Sequence, residues 1–174
     1  MTVDQALIKP GDSVLDVGCG TGEVTILAKT RAQNGNVYGI DPAPEMIAVA
    51  RKKAARKGLD IDFRVGVIEA LPFADSSIDV VTSSLMMHHL PEDLKTRGLA
   101  EVYRIIKPGG RLLIADFERP TGSFLNHLFL AFTRHQRLQK GIEDLQALLR
   151  NAGFQQIIQP NEKVLVVGFV RAIK

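Results

Sequence analysis

Two acidic residues flank a glycine-rich stretch near the start of the chain. Asp16 lies in an apolar run, and Gly18, Gly20 and Gly22 follow at alternate positions. A second acid, Asp41, ends the next apolar run. Glycine has no Cβ and accepts positive φ angles, so a glycine-rich turn between a strand and a helix lets the backbone approach a ligand closely. The two acids strengthen what the glycines indicate alone, and together they predict a nucleotide-cradling turn.

Residues 14–22 and the acid at Asp41 resemble the first two motifs of the class I methyltransferases that use S-adenosylmethionine. The nearest alternative is a nicotinamide-dependent oxidoreductase, whose G-x-G-x-x-G fingerprint would place its third glycine at Glu23. We expect a bulky acid there to crowd the helix–strand contact and to repel a pyrophosphate. The zwitterionic tail of S-adenosylmethionine tolerates such an acid, so the departure favours methyl transfer.

Strand and helix patterns alternate along the chain without a break in composition until residue 116. This alternation predicts one α/β domain, residues 1–174, with a parallel sheet covered by helices on both faces. Strands are predicted at 13–17, 37–40, 61–65, 78–82, 111–115, 155–158 and 163–172, and helices at 23–33, 42–57, 91–106 and 141–151. The resemblance implies a Rossmann-like doubly wound sheet of seven strands, mostly parallel, with an antiparallel last strand.

Several local features refine this prediction. A turn is expected at 107–110, a substrate-side insertion at 117–140, and an N-terminal lid that is short or absent. Helical spacing within the insertion predicts an apolar face over Thr121–Arg137, which could be ordinary core, a wall of the acceptor pocket or a subunit interface. Spacing also predicts the inward-facing residues of the first two helices, which are Val24, Leu27, Ala28, Met46, Ile47 and Ala50.

The resemblance implies a set of cofactor contacts around the turn and the neighbouring strand ends. The glycines would admit the methionine tail, Asp16 would help to receive its ammonium group, and Asp41 would accept hydrogen bonds from the ribose hydroxyls. Purely structural roles are the alternatives: the glycines could only form a tight turn, and either acid could only cap a helix. The whole set is Asp16, Gly18, Cys19, Gly20, Gly22, Asp41, Pro42, Met46, Ile68, Glu69, Ser83 and Ser84.

One position departs from the family pattern. An Asp usually follows the glycine after the third strand and takes the adenine amino group, but here Gly66 precedes Val67. Adenine binding would then depend on the backbone of Ile68, on Glu69 or on apolar packing.

His88 and His89 follow the fourth strand, where the family's loop faces the methyl group. Either ring could orient an acceptor or take its proton, which makes both candidate catalytic residues; the alternative is that the pair only shapes its loop. Ser83-Ser84-Leu85-Met86 replaces the Asn/Asp-Pro-Pro-aromatic tetrad, which argues against methylation of adenine or a glutamine amide. No cluster with metal-ligand spacing stands out, so no metal is expected.

Composition limits the partners. The net charge of +3 is too small to argue for nucleic acid, and no apolar run reaches the roughly 18 residues of a membrane span. A single cysteine and the lack of a signal peptide favour a cytoplasmic location. The sequence predicts methyl transfer from S-adenosylmethionine to a small-molecule acceptor, with a possible homodimer. A cofactor-binding module without catalysis is the non-enzymatic alternative.

Overall fold

The computed structural model describes residues 2–117, 142–160 and 166–174. Helices and strands alternate along these ranges, with a short 3-10 turn at Met87–His89. The helices are Thr2–Gln5 (α1), Glu23–Ala32 (α2), Pro44–Arg56 (α3), Glu92–Ile105 (α4) and Ile142–Ala152 (α5). The strands are Val14–Val17 (β1), Val37–Asp41 (β2), Asp62–Val65 (β3), Ile78–Ser84 (β4), Ile106–Phe117 (β5), Gln156–Ile158 (β6) and Val167–Ile173 (β7).

The described strands form one seven-stranded sheet in the order β3-β2-β1-β4-β5-β7-β6. Strands β1 to β5 pair in parallel, and β7 runs antiparallel to both β5 and β6. The predicted doubly wound, mostly parallel fold with an antiparallel last strand is therefore confirmed. The strand order reverses between β1 and β4, which is where open α/β sheets bind their ligands.

Helices cover both faces of the sheet because its central strands are apolar on both sides. Every residue of β1 is buried. On one face, α4 and α5 pack on a core that includes Leu15, Leu112 and Leu149. On the other face, Ala28 of α2 packs against Val14. In the described ranges, no helix is long and apolar enough to cross a membrane.

The inward faces of the first two long helices differ from the prediction. Leu27 of α2 is 54% exposed and Met46 of α3 is 43% exposed, so both inward assignments are wrong. The buried residues of α3 are Ile47, Ala50 and Ala54. Met46 comes one position before Ile47, so its side chain points about 100° away from that of Ile47 around the helix axis. In α2 the buried residues are Thr25, Ile26, Ala28 and Ala32, and Leu27 is not among them.

Strand β5 begins earlier than predicted. The expected turn at 107–110 lies inside it as an irregularity: Ile78 pairs with Ile106, but Val80 pairs with Arg111. The bulged segment is held by Lys107, whose ammonium lies 2.8 Å from an oxygen of Asp79.

Other boundaries of strands also differ from the prediction. Ser83 and Ser84 lie within β4 instead of after it. The last strand begins at Val167, and residues 163–165 of its predicted range lie outside the described residues. The same is true of residues 118–140 of the predicted insertion, including the apolar face over Thr121–Arg137.

Candidate functional site

The glycine-rich turn connects β1 to α2 at the carboxyl edge of the sheet. An added Cβ at Gly22 would lie 2.9 Å from Phe63 of β3 and 3.0 Å from Ala50 of α3, so this glycine lets the start of α2 approach both elements closely. Gly20 differs: its φ is +52° and an added Cβ would meet nothing within 4 Å. The backbone at Gly20 therefore faces open space.

Glu23 does not crowd the helix–strand contact, contrary to our expectation. Its side chain is mostly exposed and lies 2.6 Å from the ammonium of Lys53, which lowers the pKa of Glu23 mainly through that hydrogen bond. The close-packing role therefore belongs to Gly22, one position earlier.

Asp41 closes β2 beside this turn. One carboxylate oxygen accepts the backbone N–H of Gly20 at 2.9 Å, and the other accepts that of Ala43 at 2.9 Å. Ala43 is the N-cap of α3, so Asp41 is not the capping residue. The half-buried carboxylate thus ties the glycine turn to the start of α3.

Asp16 lies one layer deeper, with its carboxylate buried between the sheet and α2. Its two oxygens accept the hydroxyls of Thr25 at 2.7 Å and of Thr82 at 2.8 Å. Burial raises the pKa of Asp16 from 3.8 to about 6, although the two hydroxyl groups oppose this shift. The side chain therefore connects β1, β4 and α2.

A cavity of about 380 Å³ opens beside the ends of β1 and β2. Most of its lining is apolar, including Met86 and Leu94. The predicted site residues on its wall are Gly18, Asp41, Pro42, Ile68, Glu69 and His89. Such a mostly apolar cleft with a few polar groups is typical of a small-molecule site.

The other predicted residues lie off this wall. Met46 is exposed on α3, and Cys19 is buried against the glycine turn. Burial raises the pKa of the Cys19 thiol far above its usual value, which fits a packing role. Ser83 is buried, and its hydroxyl has no hydrogen-bond partner among the described residues. Ser84 is half-buried at the end of β4.

The loop that carries Ile68 and Glu69 is held by Arg104 of α4. Its guanidinium donates hydrogen bonds to the carbonyls of Leu71 and Phe73 and pairs with Glu101 at 2.8 Å. The hydrogen bond from Arg104 lowers the pKa of Glu101, whose carboxylate also accepts the N–H of Leu71 at 3.0 Å. This network fixes one wall of the cavity.

Sequence reasoning missed Asp116 at the end of β5. One oxygen lies 2.7 Å from Nδ1 of His88, and the other accepts the backbone N–H of His88 at 3.0 Å. The available signal was that Asp116 ends a buried strand at the same sheet edge as Asp41. Among the described residues, no group of three or more acidic, histidine or cysteine side chains could hold a metal ion.

Comparison with known proteins gives a consistent result. A family model described as a methyltransferase domain matches residues 14–110, which is more than half of the chain. An arsenite methyltransferase of Halobacterium salinarum is 35% identical over 164 residues, covering 91% of this chain and 41% of that protein. A demethylmenaquinone methyltransferase of Thermus thermophilus is 40% identical over 118 residues, covering 68% and 53% respectively. This chain thus spans about half the length of the curated relatives it matches.

The fold is shared with solved structures. A SAM-dependent methyltransferase from Aquifex aeolicus superposes with a TM-score of 0.76 at 23% identity, covering 98% of this chain and 88% of that one. The matched residues 14–110 contain the glycine turn, Asp41 and most of the cavity wall. The chain belongs to the methyltransferase domain family, in its class I, S-adenosylmethionine-dependent division.

Proposed function

We propose that this domain transfers a methyl group from S-adenosylmethionine to a small-molecule acceptor by direct displacement. The observation that carries the proposal is the Asp41 carboxylate, which is hydrogen-bonded to the glycine turn at the wall of an apolar cavity. This arrangement offers a carboxylate for a diol, open backbone for a flexible tail and apolar surface for an aromatic base.

Two local features support a fit to the cofactor. The backbone at Gly20 faces open space, where a side chain would project but a glycine leaves room. The buried hydroxyl of Ser83 lacks a protein partner in the described part of the chain, and such a group costs free energy unless something else satisfies it. Gly20 follows β1 in the turn that Asp41 contacts, and Ser83 lies near the end of the neighbouring β4.

The residues divide by chemical type. Asp41 would accept the ribose hydroxyls, the backbone at Gly18 and Gly20 would lie along the methionine tail, and Pro42 and Ile68 would flank the adenine. When bound, the cofactor supplies an activated methyl group on a positively charged sulfur. The protein has only to hold and align the reactants, which can supply a large share of the rate enhancement.

The adenine end is the weakest part of this fit. Val67 lines the cavity and is exposed where the family carries a carboxylate. The neighbouring Ile68 is buried, and Glu69 lies on the same wall. We therefore assign adenine recognition to apolar packing and to the backbone at Ile68, with Glu69 as the only acid of this loop on the cavity wall among the described residues.

The acceptor is assigned by class only. The relatives are named for arsenite and for demethylmenaquinone, which are both small molecules. A cytoplasmic location, a homodimer and the lack of nucleic-acid contact stay predictions from the sequence.

Two measurements test the proposal. Calorimetry is expected to detect binding of S-adenosylhomocysteine and not of NAD, and binding of NAD alone would refute the cofactor assignment. Turnover of labelled S-adenosylmethionine on arsenite, phenols, amines and quinone precursors then tests the reaction. Binding of S-adenosylhomocysteine with no turnover on any of these acceptors would instead favour the non-catalytic module.

A further inference from the structure

A buried carboxylate joins the loop after β4 to the end of β5. Asp116 is 3% exposed, and its oxygens accept three hydrogen bonds: from the N–H of Phe117 at 2.7 Å, from the N–H of His88 at 3.0 Å, and from Nδ1 of His88 at 2.7 Å. An ionised carboxylate can only accept, so Nδ1 carries the proton. The contact therefore fixes both the tautomer and the orientation of the His88 ring.

His88 in turn packs against a second imidazole. Its side chain is 9% exposed, and its ring centroid lies 3.9 Å from that of His89 and 4.8 Å from that of Phe117. His89 is the histidine of the pair that lies on the cavity wall. The contacts thus run from Asp116 through His88 to His89 and the cavity.

The surroundings of His89 lower the pKa of its ring. Burial and then the neighbouring His88 lower the pKa of His89, while Asp116 acts in the opposite direction. The acids that line the cavity itself, in the described ranges, are Asp41 and Glu69. A lowered pKa keeps the His89 ring neutral at pH 7, and a neutral imidazole can both donate and accept a hydrogen bond.

We propose that Asp116 is a positioning residue: it fixes His88, and His88 holds the ring of His89 against the wall of the cavity. The purpose of this arrangement rests on the proposed function, since a fixed imidazole beside the cofactor cavity can orient a polar group of the methyl acceptor. His88 and His89 then have different roles, with only His89 facing the ligand.

Histidine-selective ¹⁵N nuclear magnetic resonance tests the positioning without any acceptor, because the chain has only four histidines. In the wild type we expect a slowly exchanging, low-field Nδ1 proton on His88 and a His89 that titrates below its usual value of about 6.5. In Asp116→Asn the charged acceptor is lost, so the low-field proton should disappear. Loss of the Asp116 charge also removes the one cause that raises the pKa of His89, so His89 should titrate still further below its usual value.

The His88→Asn variant separates the effect of the hydrogen bond to Asp116 from the effect of the imidazole ring on His89. Its amide can still donate to Asp116, but the imidazole that buries the His89 ring and lowers its pKa is gone, so the pKa of His89 should rise. Asp93→Asn is the matched control, since Asp93 is an exposed residue whose carboxylate lies 3.5 Å from Arg97 on the surface of α4. It should leave both signals as in the wild type. If Asp116→Asn fails to fold, His88→Asn decides alone.

An unchanged low-field His88 proton in Asp116→Asn, together with an unchanged His89 titration in both test variants, would overturn the positioning role. Turnover adds a second readout: Asp116→Asn should lower kcat about tenfold with little change in the affinity for S-adenosylhomocysteine. A wild-type protein that binds no S-adenosylhomocysteine would refute the proposed function, while the histidine titrations would still decide the positioning.

Discussion

Substituting Gly20 tests whether the open space at the glycine turn is the cofactor site. Its φ is +52°, and an added Cβ would meet no protein atom within 4 Å. Gly20→Ala therefore costs the fold only the left-handed backbone conformation. Gly58 provides a matched control, because its φ is +64° and its added Cβ also meets nothing within 4 Å. It lies just beyond α3 and is not part of the glycine turn that Asp41 contacts.

The two substitutions should cost similar stability. A non-glycine residue in this conformation costs roughly 1–2 kcal/mol, partly offset by a stiffer unfolded chain. A net loss of about 1 kcal/mol lowers Tm by about 2–4 °C for a domain of this size. Binding should separate them: Gly20→Ala should weaken S-adenosylhomocysteine at least about tenfold, or about 1.4 kcal/mol, while Gly58→Ala should not change it.

Isothermal calorimetry with S-adenosylhomocysteine and thermal melts of the free proteins measure these quantities. Both variants should melt at nearly the same temperature, and only Gly20→Ala should lose affinity. Wild-type affinity in Gly20→Ala would refute the placement of the methionine tail at this turn. Equal losses in both variants would show that the effect is one of stability and not of contact.

Three further substitutions test neighbouring parts of the site. Asp41→Ala is expected to weaken S-adenosylhomocysteine by about 1.5–3 kcal/mol in calorimetry, the range for hydrogen bonds to a charged group; unchanged affinity would place the ribose elsewhere. Val67→Asp is expected to tighten the same ligand by supplying a carboxylate for the adenine amino group, and no gain would mean that another group already satisfies it. Burial raises the pKa of Asp16 from 3.8 to about 6, so this carboxyl binds its proton more tightly in the folded than in the unfolded state. Its contribution to the free energy of unfolding is therefore present at low pH and is lost as the pH rises through about 6. Urea unfolding should therefore show wild type gaining up to about 3 kcal/mol relative to Asp16→Asn between pH 7 and pH 4, and a pH-independent difference would contradict this account.

The sequence alone determined the class of fold and the position of the glycine turn beside Asp41. Alternating apolar strands and helices require a sheet covered on both faces, and the chain forms one. The glycine turn and Asp41 follow consecutive strands, and parallel strands end at one edge. Their proximity, with Asp41 2.9 Å from the N–H of Gly20, was therefore implied before any contact was known.

Tertiary structure decided which side chains meet across long stretches of chain. Asp16 bonds to Thr82, 66 residues away, and Asp116 to His88, 28 residues away. Both contacts depend on strand register, and a shift of one residue would turn each side chain to the opposite face. Local spacing does not contain that register. The sequence could therefore nominate His88 and His89 together, whereas the packing of β4 beside β5 turned one to Asp116 and the other to the cavity.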